Sequence, residues 1–343
     1  MSAQALVLAA RMLVADGKGL LAIDESNATC NQRFAELGIS QTEQARRAYR
    51  ELIVTSAGLG ESISGIILYD ETIRQRTKSG KPFTTVLVEA GIAVGIKVDI
   101  GAKDLAGHPG EKITEGLDGL RDRLDEYRRM GARFAKWRAV ITLDEGLPTT
   151  GCIDANAQAL ARYAALCQEA GLVPVVEAEV LMEGNHGLEQ SRIATEDVLL
   201  AVFKHLHIQR VLLEGMILKP NMVLPGLTSA TQDSIGAVAE ETLSTLKRVV
   251  PAAVAGIAFL SGGQTPVLAS ARLNAMNILS TVAESHSPWP LTFSFARAIQ
   301  QPALTIWRGE ESQVTAAQQA LFRRAHLNRL ACRGEYTDAM ETA

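Results

Sequence analysis

Eight short apolar runs recur along this chain at roughly forty-residue intervals, a spacing that accommodates one strand and one helix per repeat. They are Leu20–Asp24, Gly65–Tyr69, Val94–Asp99, Phe134–Trp137, Val173–Glu179, Val211–Lys219, Ala255–Leu260 and Leu291–Phe295. Between them lie stripes of apolar residues three and four apart, such as Leu117, Leu120, Leu124 and Tyr127, or Leu160, Tyr163, Ala164 and Cys167. Gly131 and Gly171 stand just past those stripes, where a left-handed residue ends a helix and turns the chain into the next strand. The pattern predicts an α/β fold, a (β/α)8 TIM barrel with additional N- and C-terminal helices, and one domain over residues 1–343. A doubly wound open sheet is the alternative. No Pro/Gly/Ser-rich linker divides the chain.

Four of the runs end in charge: Gly95-Ile96-Lys97-Val98-Asp99, Phe134-Ala135-Lys136-Trp137-Arg138, Val175-Val176-Glu177-Ala178-Glu179 and Met216-Ile217-Leu218-Lys219. Strand residues alternate between faces, so Lys97 shares a side with Asp99, Lys136 with Arg138, and Glu177 with Glu179. Ionised groups stay in an apolar interior only when something pairs them or chemistry uses them. In a (β/α)8 barrel the active site lies at the carboxyl ends of the strands, the ends that Asp24, Asp99, Arg138, Glu179 and Lys219 occupy.

Lys219 closes an apolar run, precedes Pro220 and has no acid beside it in sequence. Desolvation and a second ammonium such as Lys136 both disfavour its charged form, and a neutral amine attacks ketones to give a Schiff base. The competing reading is a lysine snorkelling to the barrel rim. Glu177 and Glu179 offer the proton transfer that carbinolamine formation and dehydration require, or else simply neutralise Lys136, Arg138 and Lys219. Asp24 is a second acid from the far side of the barrel, or the N-cap of the segment after it. Phe259-Leu260-Ser261-Gly262-Gly263-Gln264 follows the seventh run and Arg297 the eighth, the two loops where barrels commonly bind phosphate.

With 34 Lys and Arg against 38 Asp and Glu, a net charge of −4 spread along the chain leaves no footprint for nucleic acid or a membrane surface. Cys30, Cys152, Cys167 and Cys332 are far apart and form neither a zinc site nor a disulfide framework, which fits a reducing, cytoplasmic compartment. Met1 to Arg11 reads as a first amphipathic helix, without the basic region and cleavage signal of a leader. No stretch is long enough to span a bilayer. His205 and His207 lie two apart in a helical stretch and diverge, and His108, His186, His286 and His326 are scattered, so no metal site is expected. Gly80-Lys81-Pro82 lacks the spacing of a P-loop, and Ser244-Thr245-Leu246-Lys247 has no partner motif.

Taken together, Leu21-Ala22-Ile23-Asp24-Glu25-Ser26, Gly95-Ile96-Lys97-Val98-Asp99, Gly131 to Arg138, Leu218-Lys219-Pro220-Asn221-Met222 and Phe259 to Gln264 resemble the class I fructose-bisphosphate aldolases. The style is that of the plastid and cyanobacterial forms, and the likeness runs from Gly17 to Thr337. The resemblance implies a lyase that reversibly cleaves fructose 1,6-bisphosphate to dihydroxyacetone phosphate and glyceraldehyde 3-phosphate, in glycolysis, gluconeogenesis or the Calvin cycle. It implies Lys219 as the Schiff-base residue, Glu177 as acid and base for the carbinolamine, Asp24 as base at the C4 hydroxyl, Lys136 beside it, and Glu179 holding the lysines. Ser261, Gly262, Gly263 and Arg297 correspond to the 1-phosphate site, and Ser26, Arg33, Lys97 and Arg138 to the far end of the substrate. No metal or cofactor is implied, and the assembly implied is a homotetramer. Ala178, Ile100 and Phe295 depart from the usual proline, lysine and tyrosine, and none removes a catalytic group. The chain ends at Glu341-Thr342-Ala343 without the tail and terminal tyrosine of familiar eukaryotic members, so Glu177 or a bound water is expected to protonate the enamine. The alternatives are a Schiff-base aldolase preferring sedoheptulose 1,7-bisphosphate or a ketose monophosphate, and a non-catalytic scaffold with the same fold.

Overall fold

Alternate residues of the strands face two different cores, and this sorting builds the molecule. In the computed structural model, which describes residues 2–282 and 286–342, there are ten strands. They are β1 (Gly19–Ile23), β2 (Ile63–Leu68), β3 (Ala93–Lys97), β4 (Gly101–Asp104), β5 (Lys112–Glu115), β6 (Phe134–Ile141), β7 (Val173–Val180), β8 (Ile217–Pro220), β9 (Ile257–Phe259) and β10 (Leu291–Phe295). Eight close into a parallel barrel in the order β1-β10-β9-β8-β7-β6-β3-β2, and helices alternate with them in sequence. The open-sheet alternative is thereby excluded. Met1 and Ala343, the ends of the expected domain, lie outside the described residues.

Val176, Ala178 and Val180 of β7, and Ala135, Trp137, Ala139 and Ile141 of β6, face the surrounding helices in one large apolar cluster. Their neighbours Val173, Val175 and Phe134 point into the barrel, where they meet Leu20, Ala22, Ile67, Ile217 and Ala258. Leu6, Ala10, Leu13 and Val14 join that inner cluster from the N-terminal helix Ala3–Leu13 and its end, so this helix plugs the barrel's amino end. Burying a large aliphatic side chain contributes about 1.5–3 kcal/mol, and the plug leaves the carboxyl end as the polar mouth.

Helix starts follow side-chain chemistry: Ser2, Ser26, Thr42, Thr149, Ser234 and Thr265 each accept a hydrogen bond from the backbone N–H three residues on. Asp24 is therefore not the cap of the segment that follows it, because Ser26 is. Gly131 and Gly171 end helices Leu120–Arg129 and Thr150–Glu169 at φ of 108° and 74°, as expected. The sixth run is shorter than expected: Leu213–Gly215 is a 3-10 turn and the strand begins at Ile217. Gln168 exchanges hydrogen bonds with the Leu212 N–H (2.9 Å) and carbonyl (2.8 Å), satisfying backbone that a neighbouring strand would otherwise pair. The antiparallel hairpin β4–β5 is an insertion with no apolar alternation to announce it. No helix among the described residues is long and apolar enough to cross a membrane.

Candidate active site

The inward faces of four strands turn from apolar to charged at the same level of the barrel. Phe134 gives way to Lys136 on β6, Val175 to Glu177 on β7, Ile217 to Lys219 on β8, and Ala22 to Asp24 just past β1. Parallel register sets Lys97 beside Lys136, Arg138 beside Glu177, and Glu177 beside Lys219. The four central groups make a continuous chain of contacts. Lys136 Nζ lies 3.0 Å from Asp24 Oδ2 and 2.8 Å from Glu177 Oε2, and Glu177 Oε1 lies 3.0 Å from Lys219 Nζ. All four residues are buried, Lys219 at 3% exposure.

Burial and neighbours divide these groups into distinct protonation states. Burial opposes the charge on Lys136, but Asp24 and Glu177 together outweigh it and hold the ammonium protonated well above the ordinary lysine range. Burial also opposes charge on Lys219, where the single carboxylate of Glu177 does not compensate and Lys136 repels, so this amine is pushed below the ordinary range. Asp24, raised by burial but pulled down more strongly by Lys136 and Lys219, is held at about 2. Glu177 moves downward for the same reasons. The result is a readily neutralised amine beside an ionised carboxylate, with a fixed ammonium behind both.

The remaining expected residues surround this centre. Glu179 does not touch either lysine: it pairs with Arg138 Nε, so the expectation that it holds the lysines gives way to Glu177 and Asp24 in that position. Lys97 Nζ lies 2.7 Å from Asp99 Oδ1, and Asp99 also accepts from the Gly101 and Arg138 N–H groups. Ser26 sits two residues past Asp24, its hydroxyl accepting from Thr29 N (3.3 Å) and shared with Thr29 Oγ1 (3.0 Å). Arg33 Nη1 pairs with Glu25 at 2.5 Å and its Nη2 reaches Gln301 at 3.1 Å.

Across the mouth, Ser261 is buried, and Gly262 and Gly263 take φ of 54° and 85° in a tight turn closed by the Gln264 N–H on the Ser261 carbonyl (3.0 Å). A Cβ on Gly263 would come 3.4 Å from Arg297 Nη2, so the guanidinium lies over this loop. Arg297 is exposed and opens the helix Arg297–Trp307, which has no side-chain cap. A glycine turn, a helix start and a guanidinium suit an oxyanion.

Sequence reasoning passed over one polar layer. Glu25, beside Asp24, accepts from Arg33, from buried Arg50 (2.8 Å) and from Gln300 (2.8 Å), while Gln300 also donates to the Ala22 carbonyl and accepts from Tyr49. An acid immediately after an inward-facing acid was the one available signal. Among the described residues no group of three or more His, Cys, Asp or Glu side chains is placed to hold a metal ion.

A closed (β/α)8 barrel with a buried amine–carboxylate centre and an oxyanion loop at one mouth defines an enzyme class, a barrel enzyme suited to carbonyl compounds that carry phosphate. The model of the glycolytic class-I fructose-bisphosphate aldolases matches residues 5–343. The chain belongs to that family and is a lyase, a class I fructose-bisphosphate aldolase. It is 53% identical over 337 residues to the probable fructose-bisphosphate aldolase class 1 of Xylella fastidiosa strain 9a5c, covering 98% of this chain and 99% of that one. To fructose-bisphosphate aldolase B of Gallus gallus it is 47% identical, over 97% of this chain and 91% of the relative. A solved structure of the Plasmodium falciparum fructose-bisphosphate aldolase superposes with a TM-score of 0.94 at 43% identity, covering 97% and 95% of the two chains.

Proposed function

We propose that Lys219 is the nucleophile and that Glu177, Asp24 and Lys136 divide the proton transfers among themselves. The observation that carries this is the 3.0 Å contact between the depressed Lys219 amine and Glu177, whose other oxygen rests on Lys136. Lys219 passes a proton to Glu177 and adds as the neutral amine to the C2 carbonyl of fructose 1,6-bisphosphate; a second amine proton moves to the C2 oxygen, Glu177 returns its proton to that oxygen, and water leaves with formation of an iminium. The Asp24 carboxylate takes the C4 hydroxyl proton, the C3–C4 bond breaks, and its electron pair moves into the iminium to give an enamine. Glyceraldehyde 3-phosphate departs; a proton from Glu177 or water at C3 and then hydrolysis release dihydroxyacetone phosphate. Ser261, Gly262, Gly263 and Arg297 hold the 1-phosphate. Lys97, Arg138, Ser26 and Arg33 meet the far end, with Glu179 orienting Arg138. The reading extends to a homotetramer in a reducing cytoplasm, supported by the kinship with the family and by four free cysteines.

Borohydride reduction with dihydroxyacetone phosphate tests the nucleophile. The adduct is expected on the peptide containing Lys219 and absent from Lys219→Met. An adduct that survives in Lys219→Met overturns the assignment.

A further inference from the structure

Among the described residues, three of the four buried arginines pair with carboxylates and the fourth does not. Arg46 donates to Glu71, Arg50 to Glu25 and Arg324 to Glu341. Arg272, on the helix Pro266–Ser280, is 5% exposed and has no carboxylate within ion-pair distance among the described residues. Its Nη1 donates to Gln264 Oε1 at 2.8 Å, while its Nε is buried with no partner. Burial works against this charge, and the more distant Asp233 is the acid acting in its favour. A desolvated cation without a counter-ion is costly, and such a group persists where something later supplies the missing charge.

Its side-chain hydrogen bond to Gln264 identifies where that charge arrives. Gln264 is itself buried, its N–H returns to the Ser261 carbonyl at 3.0 Å, and its side-chain amide also rests on the Met222 sulfur at 3.5 Å. Gln264 thus ties Arg272 to the same four-residue loop, Ser261–Gln264, whose Gly263 lies against Arg297. We infer that Arg272 is a positioning residue for the phosphate loop, fixing Gln264 and supplying from beneath the positive field that a bound phosphate dianion neutralises. This rests on the reading that Ser261, Gly262, Gly263 and Arg297 hold the substrate's 1-phosphate. Because the guanidinium acts on a group remote from the breaking bond, it strengthens ground state and transition state alike.

Steady-state cleavage of fructose 1-phosphate, whose one phosphate occupies this loop, separates the possibilities. Arg272→Met is expected to raise KM by about tenfold, the order for one buried unit charge acting on a dianion across several ångströms, with kcat within about twofold. Arg272→Lys keeps the charge and is expected to restore most of the affinity. Removing an uncompensated buried cation leaves the ligand-free melting temperature of Arg272→Met equal to or above that of the unaltered protein, whereas a merely structural arginine would lower it and leave KM in place. Gln264→Leu, which cuts the tie but leaves Arg272, is expected to raise KM in the same direction and serves if Arg272→Met does not fold. Arg297→Ala is the control for the underlying reading. If it raises KM while Arg272→Met or, failing that, Gln264→Leu does not, the inference about Arg272 is overturned; if Arg297→Ala leaves KM unchanged, the phosphate assignment itself falls.

Discussion

Lys136 and Lys219 are chemically identical, both buried, and both in contact with Glu177, yet their environments drive them in opposite directions. Lys136 has two carboxylates and Lys219 shares one, and that difference of one negative charge separates an ammonium from a nucleophile. Replacing Lys136 by Met removes the repelling cation and leaves Asp24 and Glu177 to act on Lys219 alone. The Lys219 pKa is then expected to rise, moving the acid limb of kcat/KM for fructose 1,6-bisphosphate to higher pH, with kcat down by about 10²–10⁴-fold. Glu177→Gln is expected to move that limb the other way, because the ammonium of Lys219 loses its one contacting carboxylate. A pH–rate series on both variants checks the pair, and limbs that stay where the unaltered enzyme has them would count against the electrostatic argument. Lys219 and Glu177 were legible because a charge at the end of an apolar strand is anomalous by itself. Glu25, Arg50 and Gln300 were not, since Arg50 lies 25 and Gln300 275 residues from Glu25 and nothing local marks their meeting.

At the scale of elements, the eight barrel strands could be read because both their faces are buried, so each appears as a continuous apolar run. The hairpin β4–β5 could not, since Gly101–Asp104 is largely exposed and polar and pairs only with its own return strand. Glycine inside a strand has its own meaning here. A Cβ at Gly95 would fall 2.2 and 2.3 Å from Cζ and Cε2 of Phe134, so β3 approaches β6 this closely only because residue 95 has no side chain. Gly95→Ala is expected to force the Phe134 ring, and with it the register of Lys97 against Lys136, at a cost of about 2–3 kcal/mol from overpacking. Urea unfolding of Gly95→Ala measures the loss directly. A variant as stable as the unaltered protein would mean that the inner core yields more readily than its packing suggests.

For the molecule as a whole, the barrel separates its two ends by chemistry: an apolar plug from the N-terminal helix at one, and a ring of mutually compensating charges at the other. Because that ring is assembled only by folding, its proton affinities link activity to stability. Asp24, held at about 2, binds a proton less readily folded than unfolded. Its contribution is therefore complete above the unfolded value near 3.8 and drains away as pH falls toward 2. The size follows from the shift: about 2 kcal/mol near neutrality, of which about 1 kcal/mol is gone by pH 3. Glu25 and Glu177 shift in the same direction, burial opposed and outweighed by their cationic partners, and add to the loss at acid pH. Asp24→Asn has no proton to bind at this position, so it is expected to be less stable than the unaltered protein at pH 6 and to close about half of that gap by pH 3. Urea unfolding at the two pH values and matched ionic strength reads the gap. If it stays constant, Asp24 binds a proton as readily folded as unfolded, and the lysines do not hold its proton affinity down.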